Sequence, residues 1–166
     1  MKKLMYIFIG ILVILVILVF TGNKSVHHEI MINATPEKVW NVLTEMNDYP
    51  KWNPTMELLE GTVQEGNKVK YKFTQDENTK SEIGATVVQV VPNKLLNQKG
   101  GVPLVLTFNH KYVLESIGNS TKVIIHEDYQ GIGVNFWNPK PVEEAYQRLN
   151  FALKERVEQF SNLGNE

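Results

Sequence analysis

The sequence predicts an α+β domain, an antiparallel sheet covered by one long C-terminal helix, preceded by a single membrane-spanning helix. Three observations carry this. Leu4–Phe20 is an uncharged apolar run of 17 residues. Between residues 68 and 131, apolar and polar side chains alternate with a period of two, as in strands that bury one face and wet the other. From Val142 to Phe160 the apolar residues return at helical spacing.

At ~1.5 Å per residue the N-terminal run spans roughly 25 Å, a little under the ~30 Å hydrocarbon core of a bilayer. It follows Lys2 and Lys3 and ends in Val19-Phe20-Thr21-Gly22, whereas a cleaved secretory signal has a shorter apolar core and small residues at its cut site. An uncleaved anchor over residues 1–22 is therefore expected, with one domain over residues 23–166. Lys2, Lys3 and the terminal amine outweigh Lys24 on the other flank, so the positive-inside rule favours a cytoplasmic N-terminus and an exported domain. The expected location is the outer side of a bacterial cytoplasmic membrane, crossed once. A tether from Thr21 to about Ser25 has little reach and holds the domain close to the bilayer.

No cysteine occurs, which excludes disulfides, thiolate metal sites and a lipid-modified cysteine. Without Lys2 and Lys3 the domain keeps 15 Lys and Arg against 18 Asp and Glu, a net charge of −3 with no long run of either sign. Nucleic-acid binding has no electrostatic support. The 144 residues after position 22 suffice for one domain with a core and not for two of ordinary size.

A first strand-like segment opens the domain. A helix then starts at Thr35, a capping residue, with Pro36 in its first turn and Val39, Trp40, Val42 and Leu43 as its apolar face. Asn47, Asp48 and Pro50 end it in a turn carrying Tyr49, Trp52 and Pro54. In Lys68–Phe73, Val69, Tyr71 and Phe73 alternate with Lys68, Lys70 and Lys72, a wet face that could meet solvent or anionic lipid heads. Glu82–Val91 is a second strand. A third begins near Leu95 and is interrupted by Gly100, Gly101 and Pro103, the mark of a bulge or sharp bend.

The last two strands, Leu104–Ile117 and Thr121–Gly131, form a hairpin through Gly118-Asn119-Ser120. Phe108, His110, Tyr112 and Leu114 share one face of the first; Val123, Ile125, Glu127 and Tyr129 share one face of the second. If Ser116 pairs with Thr121, His110 lands opposite Glu127 and puts a charged pair on the apolar face. Finally Val142, Ala145, Tyr146, Leu149, Leu153, Val157 and Phe160 form the stripe of a helix that starts near Pro141.

Several runs resemble one family. Ala34–Trp40 reads A-x-P-E-x-V-W, Tyr49–Pro54 reads Y-P-x-W-N-P, His110–Glu115 reads H-K-Y-V-L-E, Thr121–Gly131 reads T-x-x-x-x-x-E-x-Y-x-G, and Leu149–Arg156 reads L-N-F-A-L-K-E-R. The chain is similar to the START-like, polyketide-cyclase-like superfamily known as SRPBCC. That resemblance implies a helix-grip fold: a curved antiparallel sheet wrapped around a long C-terminal helix, two short helices after the first strand, and a cavity for a hydrophobic ligand.

Within such a cavity His110 and Glu127 are the sharpest candidates, as a self-satisfied cross-strand pair, as ligand-orienting groups, or as an acid–base pair. Tyr49, Trp52, Tyr71 and Phe73 are expected lining, together with Phe108, Tyr112, Tyr129 and Tyr146. Asn150, one turn beyond Tyr146, either points its amide into the same space or faces solvent. Gly131–Pro141 carries Ile132, Val134, Phe136 and Trp137 in a stretch expected to lack regular structure; it covers the core's end, gates the cavity or dips into the membrane. His27 and His28 point to opposite faces, and no metal-ligating motif, G-x-S-x-G or glycine-rich phosphate loop occurs, so neither metal nor cofactor is implied. The function expected is a membrane-anchored binding or carrier protein for a hydrophobic small molecule or lipid. The alternatives are a cyclase- or dehydratase-type enzyme using Glu127 or His110 as base, and a non-catalytic interaction or stress-response module.

Overall fold

The computed structural model describes residues 2–163, with side chains as far as Gln159. Phe160, expected on the last helix's stripe, therefore lies outside the described side chains. The chain runs α1 (Lys2–Thr21), β1 (Asn23–Ile32), α2 (Pro36–Thr44), a 3-10 turn (Met46–Asp48), α3 (Tyr49–Trp52), β2 (Met56–Glu60), β3 (Lys68–Thr74), β4 (Lys80–Val91), β5 (Leu95–Val102), β6 (Leu106–Ile117), β7 (Ser120–Gln130), a second 3-10 turn (Ile132–Phe136) and α4 (Lys140–Leu163). Seven antiparallel strands form one sheet in the order β1-β7-β6-β5-β4-β3-β2. This is the helix-grip fold, with α4 packed on the sheet's inner face and α2 and α3 filling between them.

Alternation builds the core. Val69, Tyr71 and Phe73 of β3, Leu96 and Gln98 of β5, and His110, Tyr112 and Leu114 of β6 are all buried on the inner face. Ala145, Leu149, Leu153 and Val157 of α4 recur every four residues and are buried against it, so tertiary packing of this face holds the helix. Bulges at Leu59 and Val88, each an extra residue between paired positions, add local bend to the sheet.

Five local expectations are corrected. The tether is one residue, Gly22, because β1 already pairs with β7 at Asn23↔Gln130. The Gly22 backbone lies against Gly131, where a Cβ would meet the Gly131 carbonyl oxygen at 1.9 Å. Thr35 sits at the N-cap of α2, but its side chain makes no capping bond. The Gly100-Gly101 pair does not interrupt β5: the strand keeps its register with β6 through to Val102 although Gly101 takes φ +95°, and the absence of a Cβ at Gly100 makes room for the Phe108 ring, which such an atom would approach to 2.5 Å. Residues 103–105 form the turn instead, so β6 starts at Leu106. Finally, Ile132–Phe136 does form regular structure, a 3-10 turn closed by Val134 N–H on the Gly131 carbonyl at 3.1 Å.

Candidate functional site

The β6–β7 register is the one alternation requires: Ser116 pairs with Thr121 and His110 with Glu127. Both ionisable side chains therefore point inward, at 5% and 3% exposure. Three groups converge on one carboxylate oxygen. The Tyr129 hydroxyl, two residues along the same strand face, donates to Glu127 Oε2 at 2.6 Å, and the Tyr146 hydroxyl reaches down from α4 to donate to the same atom. His110 Nδ1 stands 3.6 Å from it, an ion-pair separation longer than a direct hydrogen bond.

Burial pushes the Glu127 carboxyl up, but the neighbouring His110 and the hydroxyls of Tyr129 and Tyr146 pull it down by more, so it is held below the ordinary carboxylate value. The same burial and the Glu127 charge drive the Tyr129 and Tyr146 hydroxyls far up, which keeps them neutral donors. Among the described residues six buried side-chain atoms have no hydrogen-bond partner; His110 Nε2 is the one in this cluster, and Asn150 Oδ1 on α4 is another.

Around this cluster the interior is aromatic. His110 lies edge-on to Tyr112 with ring centres 4.8 Å apart and to Tyr146 at 5.3 Å, while Phe73 meets Tyr146 at 6.3 Å. Tyr71 accepts a hydrogen bond from Gln98 Nε2 at 2.7 Å, and burial pushes its hydroxyl up to about 12. Phe108 and Tyr129 face each other on the neighbouring inner rung, with Trp137 tilted against Tyr129 at a ring-centre distance of 4.5 Å. A cleft of about 570 Å³ lies at that end of the sheet, walled mostly by outward-facing residues such as Lys99, Thr107, Asn109 and Asp128 and not by His110, Glu127 or Tyr146.

Other candidates fall away from the cluster. The Tyr49 hydroxyl donates to the Leu43 carbonyl at 2.6 Å, satisfying one of the orphan carbonyls at the end of α2, and its ring packs edge-on to Trp52. Trp52 is half-buried, in the groove between α2 and α4. Asn150 is fully buried, not solvent-facing, yet its amide contacts His28 Nδ1 of β1 at 2.9 Å and not the tyrosines. His28 itself is pushed down, first by burial and then by the charge of His27. On the outer face Lys70 pairs with Glu60 at 3.2 Å and Glu82 at 3.1 Å, and Lys72 with Glu57 at 2.9 Å, so these lysines form a solvated ion-pair ladder. Gln98 is a buried polar residue outside the set expected from sequence; its place two residues from Leu96 on the inner face of β5 was the available signal.

Residues 24–158 match the family described as polyketide cyclase / dehydrase and lipid transport. The chain belongs to that family. No curated protein matches it. Among solved structures it is similar to a protein of Chromobacterium violaceum, at 17% identity and a TM-score of 0.67 over 81% of this chain and 96% of that one. A protein of Thermus thermophilus gives 19% identity and a TM-score of 0.67, covering 83% and 99%. Norcoclaurine synthase of Thalictrum flavum, solved with a transition-state analogue, gives 16% identity and a TM-score of 0.62, covering 84% and 96%. At these identities the likeness speaks for the fold.

Proposed function

We propose that this protein is a membrane-anchored binder or carrier of a hydrophobic small molecule or lipid, held between the sheet and α4. The observation that carries the proposal is His110 Nε2, a buried ring nitrogen with no partner in an interior lined largely by aromatic rings. Buried polar atoms are nearly always hydrogen-bonded, so an orphan one is a place for a ligand's polar end. The aromatic rings supply apolar contact area and His110, backed by Glu127, sets the orientation. The family's description includes lipid transport, which agrees with this chemistry. α1 is long and apolar enough to cross a membrane, and Lys2 and Lys3 before it favour a cytoplasmic N-terminus with the domain outside a bacterial cytoplasmic membrane.

Glu127 is a poor candidate for a general base. Its carboxyl is held below the ordinary value and one of its oxygens already accepts from two tyrosines, so it has little driving force to take a proton. The ring packing around His110 favours a second reading, an interaction module whose interior is filled by its own side chains. One experiment separates the two. Full-length protein in detergent is incubated with a total lipid extract, re-isolated, and its bound molecules identified by mass spectrometry. A carrier retains a defined apolar species, and retention falls when His110→Gln changes the orienting group. Recovery of nothing above a protein-free control sinks the carrier and leaves the filled module.

A further inference from the structure

We infer that the end of the domain around α1 is a second membrane contact, a docking face that seats in the headgroup and upper acyl region of the bilayer. Its residues are Val102 at the end of β5, Leu104 and Val105 of the β5–β6 turn and Phe136 of the second 3-10 turn, which are 60%, 69%, 52% and 78% exposed. Together with Phe20, 77% exposed at the end of α1, they form a concentration of large apolar side chains in water, which a soluble domain surface rarely carries without a partner.

These segments are tied to one another and to the anchor. Ile132 N–H donates to the Leu104 carbonyl at 2.9 Å and Gly133 N–H to the Val105 carbonyl at 2.8 Å, joining the two turns. Asn135 Nδ2 donates to the Leu18 carbonyl at 2.7 Å, and Gly131 N–H to the Gly22 carbonyl at 2.9 Å, joining them to the last turn of α1. Leu18 and Val19 are half-buried there, unlike the exposed residues before them. With one residue between α1 and β1, the patch has no freedom to swing away from the membrane surface.

Two further observations identify the occupant as a bilayer. Leu104 has φ +65°, a left-handed conformation that costs a branched side chain roughly 1–2 kcal/mol; the other non-glycine residue there, Asn93 at φ 63°, is of a type that tolerates it. A strained leucine at a turn tip that leaves 69% of its surface in water gains little packing inside the domain, which suits an external apolar partner. The apolar run of α1, roughly 25 Å, is also about 5 Å short of the ~30 Å hydrocarbon thickness, and drawing the apolar turns beside its last turn into the interface makes up that deficit. This seating places the Phe108–Tyr129 rung, the inner-face rung next to His110 and Glu127, at the membrane side of the domain.

The docking face depends on α1 spanning the membrane as proposed above. Because the chain has no cysteine, single spin labels can be placed without background at Leu104→Cys, Phe136→Cys and, as a control, Ile117→Cys. Ile117 lies at the opposite end of β6, eleven residues from Leu106 and so roughly 35 Å away. Full-length protein is reconstituted in phosphatidylglycerol–phosphatidylethanolamine vesicles, and the accessibility of each label to oxygen and to a water-soluble nickel chelate is read by electron paramagnetic resonance. The expected result is an oxygen-to-nickel ratio several-fold higher at 104 and at 136 than at 117. The two labels are read independently, so loss of one variant leaves the other decisive. Protein that floats with vesicles but shows the same water-like ratio at all three positions overturns the docking face alone. Protein that fails to float overturns the anchor, and the docking face with it.

Discussion

Two acid–base pairs on the β6–β7 hairpin lie one residue apart and differ in almost everything but distance. His110 and Glu127 face inward at 3.6 Å and are almost fully buried; Lys111 and Asp128 face outward at 3.8 Å, with side chains 33% and 44% exposed. The outer pair exchanges water for a partner it barely needs. The inner pair has lost its water, and each missing partner leaves a charge or a polar atom stranded. Equal separations thus mean different energies, and burial decides which pair the fold depends on.

The comparison breaks most visibly if His110→Leu is made. Removal of one member of a buried pair is expected to lower stability by about 3–5 kcal/mol, read by chemical denaturation of the full-length protein in detergent. Tyr146→Phe removes one donor to the Glu127 carboxylate while keeping the ring; a loss of about 1.5–3 kcal/mol is expected by the same measurement, and a loss near zero would mean the hydroxyl was not holding the charge.

Acid sharpens the contrast. Because folding holds the Glu127 carboxyl below its ordinary value of 4.5, the folded state favours the ionised form. Its contribution is complete above about pH 4.5 and is lost as pH falls through the lower folded-state value. Melting temperature followed downward from pH 6 should fall in that acid window, and Glu127→Gln should remove this part of the slope. The smallest effect belongs to Lys111→Ala, about 0.2–1 kcal/mol and further reduced by salt, against a loss at His110 that salt leaves largely unchanged.

Much of this was legible in the residues themselves. The His110–Glu127 pairing followed from strict alternation on two strands and a short glycine-containing connection, since a one-residue slip would have exposed Tyr112 and Ile125. Tyr129 was legible for the same reason. Tyr146 on Glu127, and Asn150 on His28, were not, because they depend on how α4 lies across the sheet, and a helix's periodicity gives its buried face without its position along the partner. β2 was missed because Met56-Glu57-Leu58-Leu59-Glu60 breaks alternation at its bulge. The early start of β1 was hidden because Asn23, Lys24 and Ser25 are joined to β7 through backbone pairing, which side-chain hydropathy does not announce.

That pairing also sets an order of assembly. β1 is made directly after α1, yet its partner β7 begins at Ser120, nearly a hundred residues later. Until β7 emerges, a ten-residue strand with unsatisfied backbone groups waits without its partner. Such long-range closure slows folding and leaves an open edge to neighbouring chains. The pairing of β1 with β7, one residue after α1, therefore makes the first strand synthesised one of the last to find its place.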